Sequence, residues 1–363
     1  MIDKLEYTNK HELIFLDQTL LPLKEKYQKT KSYKDVAEAI QKLKIRGAPL
    51  IGIAAAYGVV MGVHHYDTDN RKNFEIHFYK VTETLRTSRP TAKNLFYALD
   101  RMVKVFEENI EKDFIEIEDL LLREADAIFD EDAEMCKRIG VNGSELIGEK
   151  MTILTHCNAG ELATGGIGTA LGIIYTARDQ GKDIFVYADE TRPLLQGSRL
   201  TAFELAENEI DFDIIIDSMA ANLMKDEVID CVIVGADRIA SNGDVVNKVG
   251  SYSLAVNCAF HKIPFYVAAP GSTIDFDIAE GKDIEIEERS ADEVTKVNGE
   301  KITSQDFSVM NPAFDLVPHE LVTAIITEYK VHYPPYNFGG LKHMFQSYIQ
   351  TQRMNDNEEE IDN

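Results

Sequence analysis

The sequence predicts an α/β fold, with a parallel sheet in the C-terminal half and a smaller, mainly helical N-terminal half. After Lys150, short apolar runs of β-like composition alternate with helical stretches, which is the pattern of βαβ units. Polar residues follow each run directly, and the ligand site of such a sheet lies at the carboxyl ends of its strands. Before Lys150, apolar residues recur with the period of helices. The five runs span residues 151–155, 184–187, 212–216, 231–234 and 265–268.

The net charge and the spacing of the cysteines limit the partners, metal sites and cellular location that we expect. The chain has 363 residues, enough for two domains, and a formal net charge of −24 at pH 7. This charge argues against a nucleic-acid partner, because sequence-independent binding of that kind needs a basic surface. The first residues lack a secretory leader, and the cysteines are widely spaced without a CxxC pair. We therefore expect a cytoplasmic protein with no metal site and no membrane partner. The four cysteines are Cys136, Cys157, Cys231 and Cys258.

The first 64 residues predict a small β-meander and two helices. Residues 5–20 alternate around an Asn-Lys turn, as hairpin strands do. From Tyr33, the apolar residues of SYKDVAEAIQKL have the spacing of one buried helical stripe. The longest apolar run, residues 48–63, is interrupted by Pro49 and three glycines. It is too short and too broken to span a bilayer, and predicts a buried helix.

Two arginines each precede a predicted helix of the N-terminal half. Arg46, Gly47 and Ala48 form a turn before the buried helix, where a guanidinium and free backbone amides suit phosphate recognition. Arg89 stands before Pro90 and a second amphipathic helix, with the proline expected near its first turn. A solvated arginine in a helix-start turn is the alternative. Together the two arginines suggest a shared anion pocket. Residues 106–147 predict further helices with an exposed face.

The stretch MTILTHCNAGELATGGIGTALG, residues 151–172, joins a strand to a glycine-rich segment that predicts a helix start. A helix N-terminus presents free N–H groups to a phosphate, and its field favours the thiolate form of a nearby cysteine. Cys157 is therefore a candidate reactive thiol beside an anion site. Tight packing of the glycines and a buried, inert cysteine are the alternatives.

Four later residues, at predicted strand ends or helix starts, are further candidates for the site. Gln196 enters a helix between two arginines and is a candidate donor to a sugar hydroxyl. Asp237 follows an apolar strand, and apolar surroundings raise the pKa of a carboxyl so that it can serve as a general acid. A structural ion pair with Arg238 is the alternative. Asn247 and Lys248 are expected at a helix start.

Once these stretches are taken together, the chain resembles the methylthioribose-1-phosphate isomerase family of methionine salvage. The resemblance runs in order from about residue 5 to 335 and includes RGAPLIGIAAAYG, SRPTAKNLFYALDRM, THCNAGELATGGIGTALG, LLQGSRLTAFEL and VGADRIASNGDVVNKVGSYSLA. It implies a Rossmann-like C-terminal domain, a sugar-phosphate substrate, a homodimer and no cofactor. The superfamily also includes ribose-1,5-bisphosphate and 5-deoxyribose-1-phosphate isomerases and regulatory subunits of an initiation-factor exchange factor.

The resemblance also assigns roles to residues. Cys157 and Asp237 match the catalytic pair of the family. Seven residues match its substrate-binding positions: Arg46, Gly47, Ala48, Arg89, Gln196, Asn247 and Lys248. A 5-deoxyribose-1-phosphate isomerase and a non-catalytic regulatory subunit stay open as alternatives. Retention of both Cys157 and Asp237 favours an enzyme, and the departures from the family pattern, expected near carbon 5 of the sugar, leave the 5-substituent open. Those departures are Leu50, Glu161, Gly165, Gly166, Ile167 and Leu194.

The predicted domains follow from this organisation. We assign residues 1–147 to an N-terminal helical domain with a β-meander and residues 148–350 to a Rossmann-like catalytic domain. The motif NPAFDLVPHELVTAIITEYK predicts one more amphipathic helix, with residues 319–326 covering the sheet. Residues 351–363 are acidic, and we expect a disordered tail there.

Overall fold

The computed structural model describes residues 2–297, 299–304, 307–336, 338, 340 and 341. The acidic tail predicted for residues 351–363, and the end of the predicted catalytic domain from residue 342, lie outside these residues. Among the described helices, none combines the length and the apolar character needed to cross a bilayer.

The N-terminal half begins with a three-stranded antiparallel sheet and continues with five helices. The strands pair in chain order, so the predicted meander is present. They are β1 (Leu5–Tyr7), β2 (Leu13–Leu16) and β3 (Tyr27–Thr30). The helices are α1 (Tyr33–Gln41), α2 (Ala48–His64), α3 (Arg71–Arg86), α4 (Lys93–Glu108) and α5 (Phe114–Ser144).

Helix α2 forms the centre of this half. Every residue from 50 to 63 is buried, as the long apolar run predicts. Helices α1, α3, α4 and α5 surround it and share one apolar cluster with it. Pro90 lies ahead of α4 rather than in its first turn, because the helix begins only at Lys93. Helix α5 alone covers most of residues 106–147, for which the sequence predicts several helices.

The C-terminal half is built on a seven-stranded sheet whose order is β16-β15-β10-β7-β4-β5-β6. All neighbours are parallel except the edge strand β16. The five predicted runs form strands of this sheet, which confirms the α/β class. The strands are β4 (Lys150–Thr155), β5 (Asp183–Asp189), β6 (Asp211–Ile215), β7 (Cys231–Val234), β10 (Phe265–Ala268), β15 (Ala324–Ile326) and β16 (Val331–His332).

Helices cover both faces of the sheet. Alternate residues of β4 belong to different apolar clusters, with Ile153 on the side of α6 and Leu154 on the side of α8 and α9. The boundary that we propose at residue 147 falls between the end of α5 and the start of β4. The helices are α6 (Ala170–Asp179), α7 (Ala202–Glu207), α8 (Ala220–Lys225), α9 (Ser251–His261) and the short α10 (Asp292–Thr295).

A smaller four-stranded sheet, of order β11-β8-β9-β14, stands beside the large one. The large sheet, on the other hand, corrects the prediction of a helix over residues 319–326. Those residues form a single 3₁₀ turn and then β15, a buried strand of the large sheet. The remaining strands are β8 (Arg238–Ala240), β9 (Val245–Lys248), β11 (Ile274–Asp275), β14 (Phe314–Val317) and the hairpin of β12 (Lys296–Val297) and β13 (Glu300–Lys301).

Candidate active site

One pocket brings together all nine residues that the sequence singles out. It lies where the N-terminal half meets the carboxyl ends of β4, β7 and β10, the position expected for a parallel sheet. It holds about 980 Å³ of empty space, solvent at its mouth included. The nine residues are Arg46, Gly47, Ala48, Arg89, Cys157, Gln196, Asp237, Asn247 and Lys248.

The turn before α2 is held against the glycine-rich loop that follows β4. Gly47 has φ +96°, and a Cβ there would stand 2.3 Å from the Cα of Ala163. A larger residue would therefore be strained and would collide with the backbone. Arg46 donates from Nη2 to the carbonyl of Asn158 at 2.9 Å and from Nη1 to the side-chain oxygen of the same residue. The guanidinium is thus fixed at the pocket wall beside the start of α2.

Cys157 is half-buried and faces the pocket, whereas the other three cysteines are buried. Its backbone has φ +63°, a conformation uncommon for a side chain other than glycine. Its N–H donates to Thr191 Oγ1 at 2.8 Å and its carbonyl accepts from Thr201 Oγ1 at 2.5 Å. The predicted helix start is corrected, because the chain passes through a loop and a 3₁₀ turn before α6 begins at Ala170. Cys157 therefore does not lie in the first turn of a helix.

Asp237 lies between β7 and β8 and points into the same pocket. Burial raises the pKa of its carboxyl, and the Arg89 and Lys248 cations oppose that shift without cancelling it. The alternative of an ion pair with Arg238 is not what forms. The Arg238 guanidinium donates to the carbonyl of Thr91 and lies 3.6 Å from Asp275. A carboxyl with a raised pKa is suited to give up a proton near neutrality.

Asn247 and Lys248 reach the pocket from strand β9, which corrects their predicted place at a helix start. Helix α9 begins only at Ser251, after a turn at Gly250 with φ +110°. Lys248 donates to the carbonyl of Ala313 at 2.8 Å, and burial lowers its pKa although Cys157 opposes that shift. Asn247 donates to Ser251 Oγ at 2.8 Å. Asn247 is therefore oriented by a neighbour in the chain, and Lys248 by the residue directly before the adjacent strand β14.

Gln196 faces the pocket, as Leu194 does, whereas the arginines on either side of it do not. Its side-chain oxygen is buried and has no hydrogen-bond partner within the part of the chain that is described, so it can accept from a bound ligand. Arg192 and Arg199, the arginines on either side, bind backbone carbonyls. Arg192 donates to the carbonyl of Val294 at 3.2 Å, and Arg199 donates to the carbonyl of Gln18 at 2.8 Å. Both therefore tie loops together rather than bind an anion.

Arg289 is a pocket residue that the sequence analysis missed. It lies in an irregular segment ahead of α10, so no strand-end position marks it. Its Nη1 donates to Glu287 at 2.8 Å, and Arg89 donates to the other oxygen of the same carboxylate at 2.9 Å. Glu287 thus joins two guanidinium groups at the pocket wall. The positive charges pull the pKa of Glu287 below its ordinary value although burial acts the other way.

His156, which precedes Cys157 in the chain, is buried, and both of its ring nitrogens have protein partners. Its Nδ1 lies 2.9 Å from Asp189, and its Nε2 donates to the carbonyl of Val249 at 2.9 Å. Burial alone would lower the pKa of His156, but the Asp189 carboxylate raises it above its ordinary value. Asp217 completes a group that is close enough to share a metal ion. Because both ring nitrogens already have protein partners, this group serves to support the loop.

The departures from the family pattern have different surroundings. Leu194 lines the pocket. Glu161 instead is buried behind it and accepts a hydrogen bond from the N–H of Ile2 at 2.7 Å. Gly165 donates to Asp132 at 2.6 Å, also behind the pocket. Of these three, only Leu194 can contact a ligand directly.

Comparison with known proteins gives one family and closely similar relatives. The model of the initiation factor 2 subunit family matches residues 44–334. The methylthioribose-1-phosphate isomerase of Carboxydothermus hydrogenoformans is 53% identical over 340 residues, which cover 92% of this chain and 98% of that protein.

Two solved structures share both fold and sequence with the chain. The 5-methylthioribose 1-phosphate isomerase from Pyrococcus horikoshii OT3 is 42% identical, with a TM-score of 0.87 over 96% of each chain. The structure described as translation initiation factor eIF-2B, subunit delta, from A. fulgidus is also 42% identical. Its TM-score is 0.81, over 93% of this chain and 97% of that one.

Proposed function

The chain belongs to the initiation factor 2 subunit family, and we propose that it is an aldose–ketose isomerase of methionine salvage. Its reaction is the conversion of 5-methylthioribose 1-phosphate to 5-methylthioribulose 1-phosphate, in agreement with the activity for which its relatives are named. The observation that carries the proposal is the convergence of the matched residues, Cys157 and Asp237 included, on one pocket.

The positive charge of the pocket is suited to bind the phosphate group of the substrate. Phosphate on carbon 1 blocks the anomeric oxygen, so the sugar ring cannot open by itself. We assign Arg46 and the neighbouring start of α2 to this phosphate, because guanidinium and backbone N–H groups bind phosphate oxygens well. Arg89 and Lys248 add positive charge on the side of Asp237. This arrangement would hold the ring oxygen close to the carboxyl.

Asp237 would act as the general acid of ring opening. Its raised pKa lets it hold a proton, which it gives to the ring oxygen as the bond from that oxygen to carbon 1 breaks. Hydrogen then moves from carbon 2 to carbon 1, and the carbon-2 hydroxyl loses its proton to form the ketone. The ring oxygen gains one proton and the hydroxyl loses one, so the overall reaction conserves protons. We place the Cys157 thiol on the carbon-2 side of this transfer.

Assembly and location are finer proposals that rest on the family resemblance. We propose a homodimer, for which sedimentation of the purified protein is the measurement. We also propose a cytoplasmic location, which suits four free cysteines. No nucleic-acid partner is proposed, because the net charge of −24 repels a phosphate backbone.

The deciding experiment compares three substrates of the purified protein: 5-methylthioribose 1-phosphate, 5-deoxyribose 1-phosphate and ribose 1,5-bisphosphate. We expect the highest kcat/KM with the methylthio sugar. Equal rates with the 5-deoxy sugar would indicate a broader role in disposal of 5-deoxypentoses. The Asp237→Asn protein, purified in parallel, controls for contaminating isomerase. Turnover of none of the three sugars by the wild-type protein would contradict the proposal and favour a regulatory subunit.

A further inference from the structure

A single helical segment lies behind both the anion-binding arginine and the candidate catalytic thiol. It consists of a π-helical turn, Gly197–Thr201, followed by α7, Ala202–Glu207; we refer to it as the supporting helix. It begins directly after Gln196, a pocket residue. Two of its side chains, Thr201 and Glu204, are both fully buried and polar, and both point at the loop that follows β4.

Glu204 is a buried carboxylate whose bonding partners are all neutral donors. One oxygen accepts from the side chain of Asn158 at 2.8 Å and from the N–H of Leu162 at 3.0 Å. The other accepts from the N–H of Glu161 at 2.6 Å and from the hydroxyl of Tyr175 at 3.2 Å. A buried carboxyl with several donors keeps them in fixed directions, because leaving any of them unbonded is costly.

The loop is shaped to receive this carboxylate. A Cβ at position 160 would stand 2.0 Å from the nearer oxygen of Glu204, so Gly160 allows the loop to close on it. The absence of a side chain at Gly160 therefore allows the backbone to approach the Glu204 carboxylate closely. It fixes the part of the loop that carries Asn158.

Asn158 passes the orientation of Glu204 on to Arg46. Its amide nitrogen donates to Glu204, so its amide oxygen must face the other way, and that oxygen accepts from Arg46. The carbonyl of Asn158 accepts from the same guanidinium at 2.9 Å. An amide has one donor end and one acceptor end, so the acceptor at Glu204 decides which end Arg46 meets.

Thr201 acts on the neighbouring residue of the same loop. Its hydroxyl donates to the carbonyl of Cys157 at 2.5 Å and accepts from the Asn158 amide at 3.3 Å. Because Cys157 has φ +63°, its peptide needs external bonds to keep that conformation. The hydroxyl of Thr201 provides one of them.

We propose that Glu204 and Thr201 are positioning residues of the active site, with Glu204 orienting the phosphate-binding Arg46 through Asn158 and Thr201 fixing the backbone of Cys157. The proposal rests on the proposed function, because it assumes that Arg46 binds phosphate and that Cys157 acts in the chemical step. It divides the two tasks: loss of Glu204 affects binding, and loss of Thr201 affects turnover.

The test is a set of matched variants on the supporting helix: Glu204→Gln, Thr201→Val, Thr201→Ser and the control Glu207→Gln. Glu207 is exposed on the same helix, so its variant should behave as wild type. We expect Glu204→Gln to raise KM, and the inhibition constant of inorganic phosphate, about tenfold or more. The glutamine NH₂ group must face two of the four donors that Glu204 accepts from, and this mismatch should displace the loop that carries Asn158, and Arg46 with it. Its kcat should stay within about threefold of wild type, because the chemical groups are untouched.

Thr201→Val should lower kcat and leave KM largely unchanged, the opposite of Glu204→Gln. We expect kcat to fall about tenfold or more, since a misplaced reacting group costs rate, while KM changes little. Thr201→Ser keeps the hydroxyl and should restore kcat. The proposal would be overturned if both variants showed the same change in kcat and in KM, in proportion to their fall in melting temperature. Wild-type kinetics in either variant would also overturn it.

Asn158→Ser provides a second route if Glu204→Gln does not fold. It interrupts the connection to Arg46 but leaves the other three donors of Glu204 in place, and should reproduce the higher inhibition constant for phosphate. A wild-type constant in Asn158→Ser would overturn the role given to Glu204. Calorimetric titration of the wild-type protein with inorganic phosphate separates the two proposals. Phosphate binding without sugar turnover would contradict the proposed function, while Glu204 could still be tested on the binding.

Discussion

Asp237 and Cys157 reach the pocket from the ends of two neighbouring strands, β7 and β4. If they are the acid and the thiol of the reaction, their loss should reduce turnover and largely spare binding. We expect Asp237→Asn and Cys157→Ser each to lower kcat by about 10²- to 10⁴-fold, the usual contribution of a positioned acid or base. Steady-state kinetics measure this, and near-normal kcat in either variant would remove the role assigned to that residue.

Arg46 should instead affect binding. Arg46→Ala removes a charge-assisted contact to phosphate worth about 1.5 to 3 kcal/mol, and KM should rise accordingly. Arg86→Ala is a control for the loss of a guanidinium outside the pocket, because Arg86 pairs with Asp100 within the helical half. An unchanged KM in Arg46→Ala would show that the phosphate lies elsewhere.

The pH dependence of kcat/KM should report the proton of Asp237. Burial raises the pKa of this carboxyl, so the protonated, active form persists to higher pH than for an ordinary aspartate. Activity should be full below that pKa and fall as the pH rises through it. Glu287 also raises the pKa of Asp237, so Glu287→Gln should move the alkaline limb to lower pH. If the alkaline limb does not move in this variant, it reports a group other than Asp237.

At the scale of single elements, the turn from β15 to β16 contains a carboxyl that costs stability. Burial raises the pKa of Glu328 from 4.5 to about 7, although the N–H of Gly271 donates to it at 2.8 Å. Between these two values the folded protein binds more protons than the unfolded chain, so stability is full below the lower one and is lost as the pH rises toward the upper one.

Glu328→Gln should remove this dependence while keeping the acceptor for Gly271. We expect the variant to be more stable than wild type by about 3 kcal/mol above pH 7, and to gain nothing near pH 4. Urea unfolding at the two pH values measures the difference. A gain that is equal at both would mean that packing, not ionisation, is responsible.

The elements that the sequence predicts correctly are those with a strong period or a clear position. Helix α2 and the five strands follow from predominantly apolar runs. Residues 319–326 were mispredicted because a short apolar run suits a buried helix and a buried strand equally. Ile325 and Ile326 are β-branched and fully buried in the sheet, and pairing with β10 decides the outcome. That pairing depends on residues far away in the sequence.

The pocket could be predicted better than the loops that support it. Strand ends and arginines before helices mark Cys157, Asp237, Arg46 and Arg89 in the sequence itself. Arg289 has no such mark, because its segment reaches the pocket only through pairing with residues near 311–313. The place of Lys248 on a strand was also missed, since β9 is short and depends on β14 as its partner.

At the scale of the whole molecule, the pocket is assembled from both halves of the chain. Arg46 and Arg89 come from the helical half and Asp237 and Lys248 from the sheet half, so a ligand that contacts both should stabilise them together. At a sugar phosphate concentration about 100 times Kd, we expect about 2.7 kcal/mol of added stability.

Thermal unfolding with two probes measures this effect. The chain has 15 tyrosines and no tryptophan, so tyrosine fluorescence can be compared with far-ultraviolet circular dichroism. With ligand, both probes should move to the same higher midpoint. Two separate transitions, of which the ligand shifts only one, would mean that the ligand contacts one half alone.

The order of the chain has a consequence for how the protein is made. The buried residues of the helical half's apolar cluster lie between Leu5 and Ile128, whereas the pocket needs residues from Leu43 to Phe314. On the ribosome, the helices can collapse on one another long before the last pocket residues emerge. A translation product that stops early would therefore be compact and carry two of the pocket's arginines, yet lack the thiol and the acid. Catalysis would begin only after Phe314 has been added to the chain.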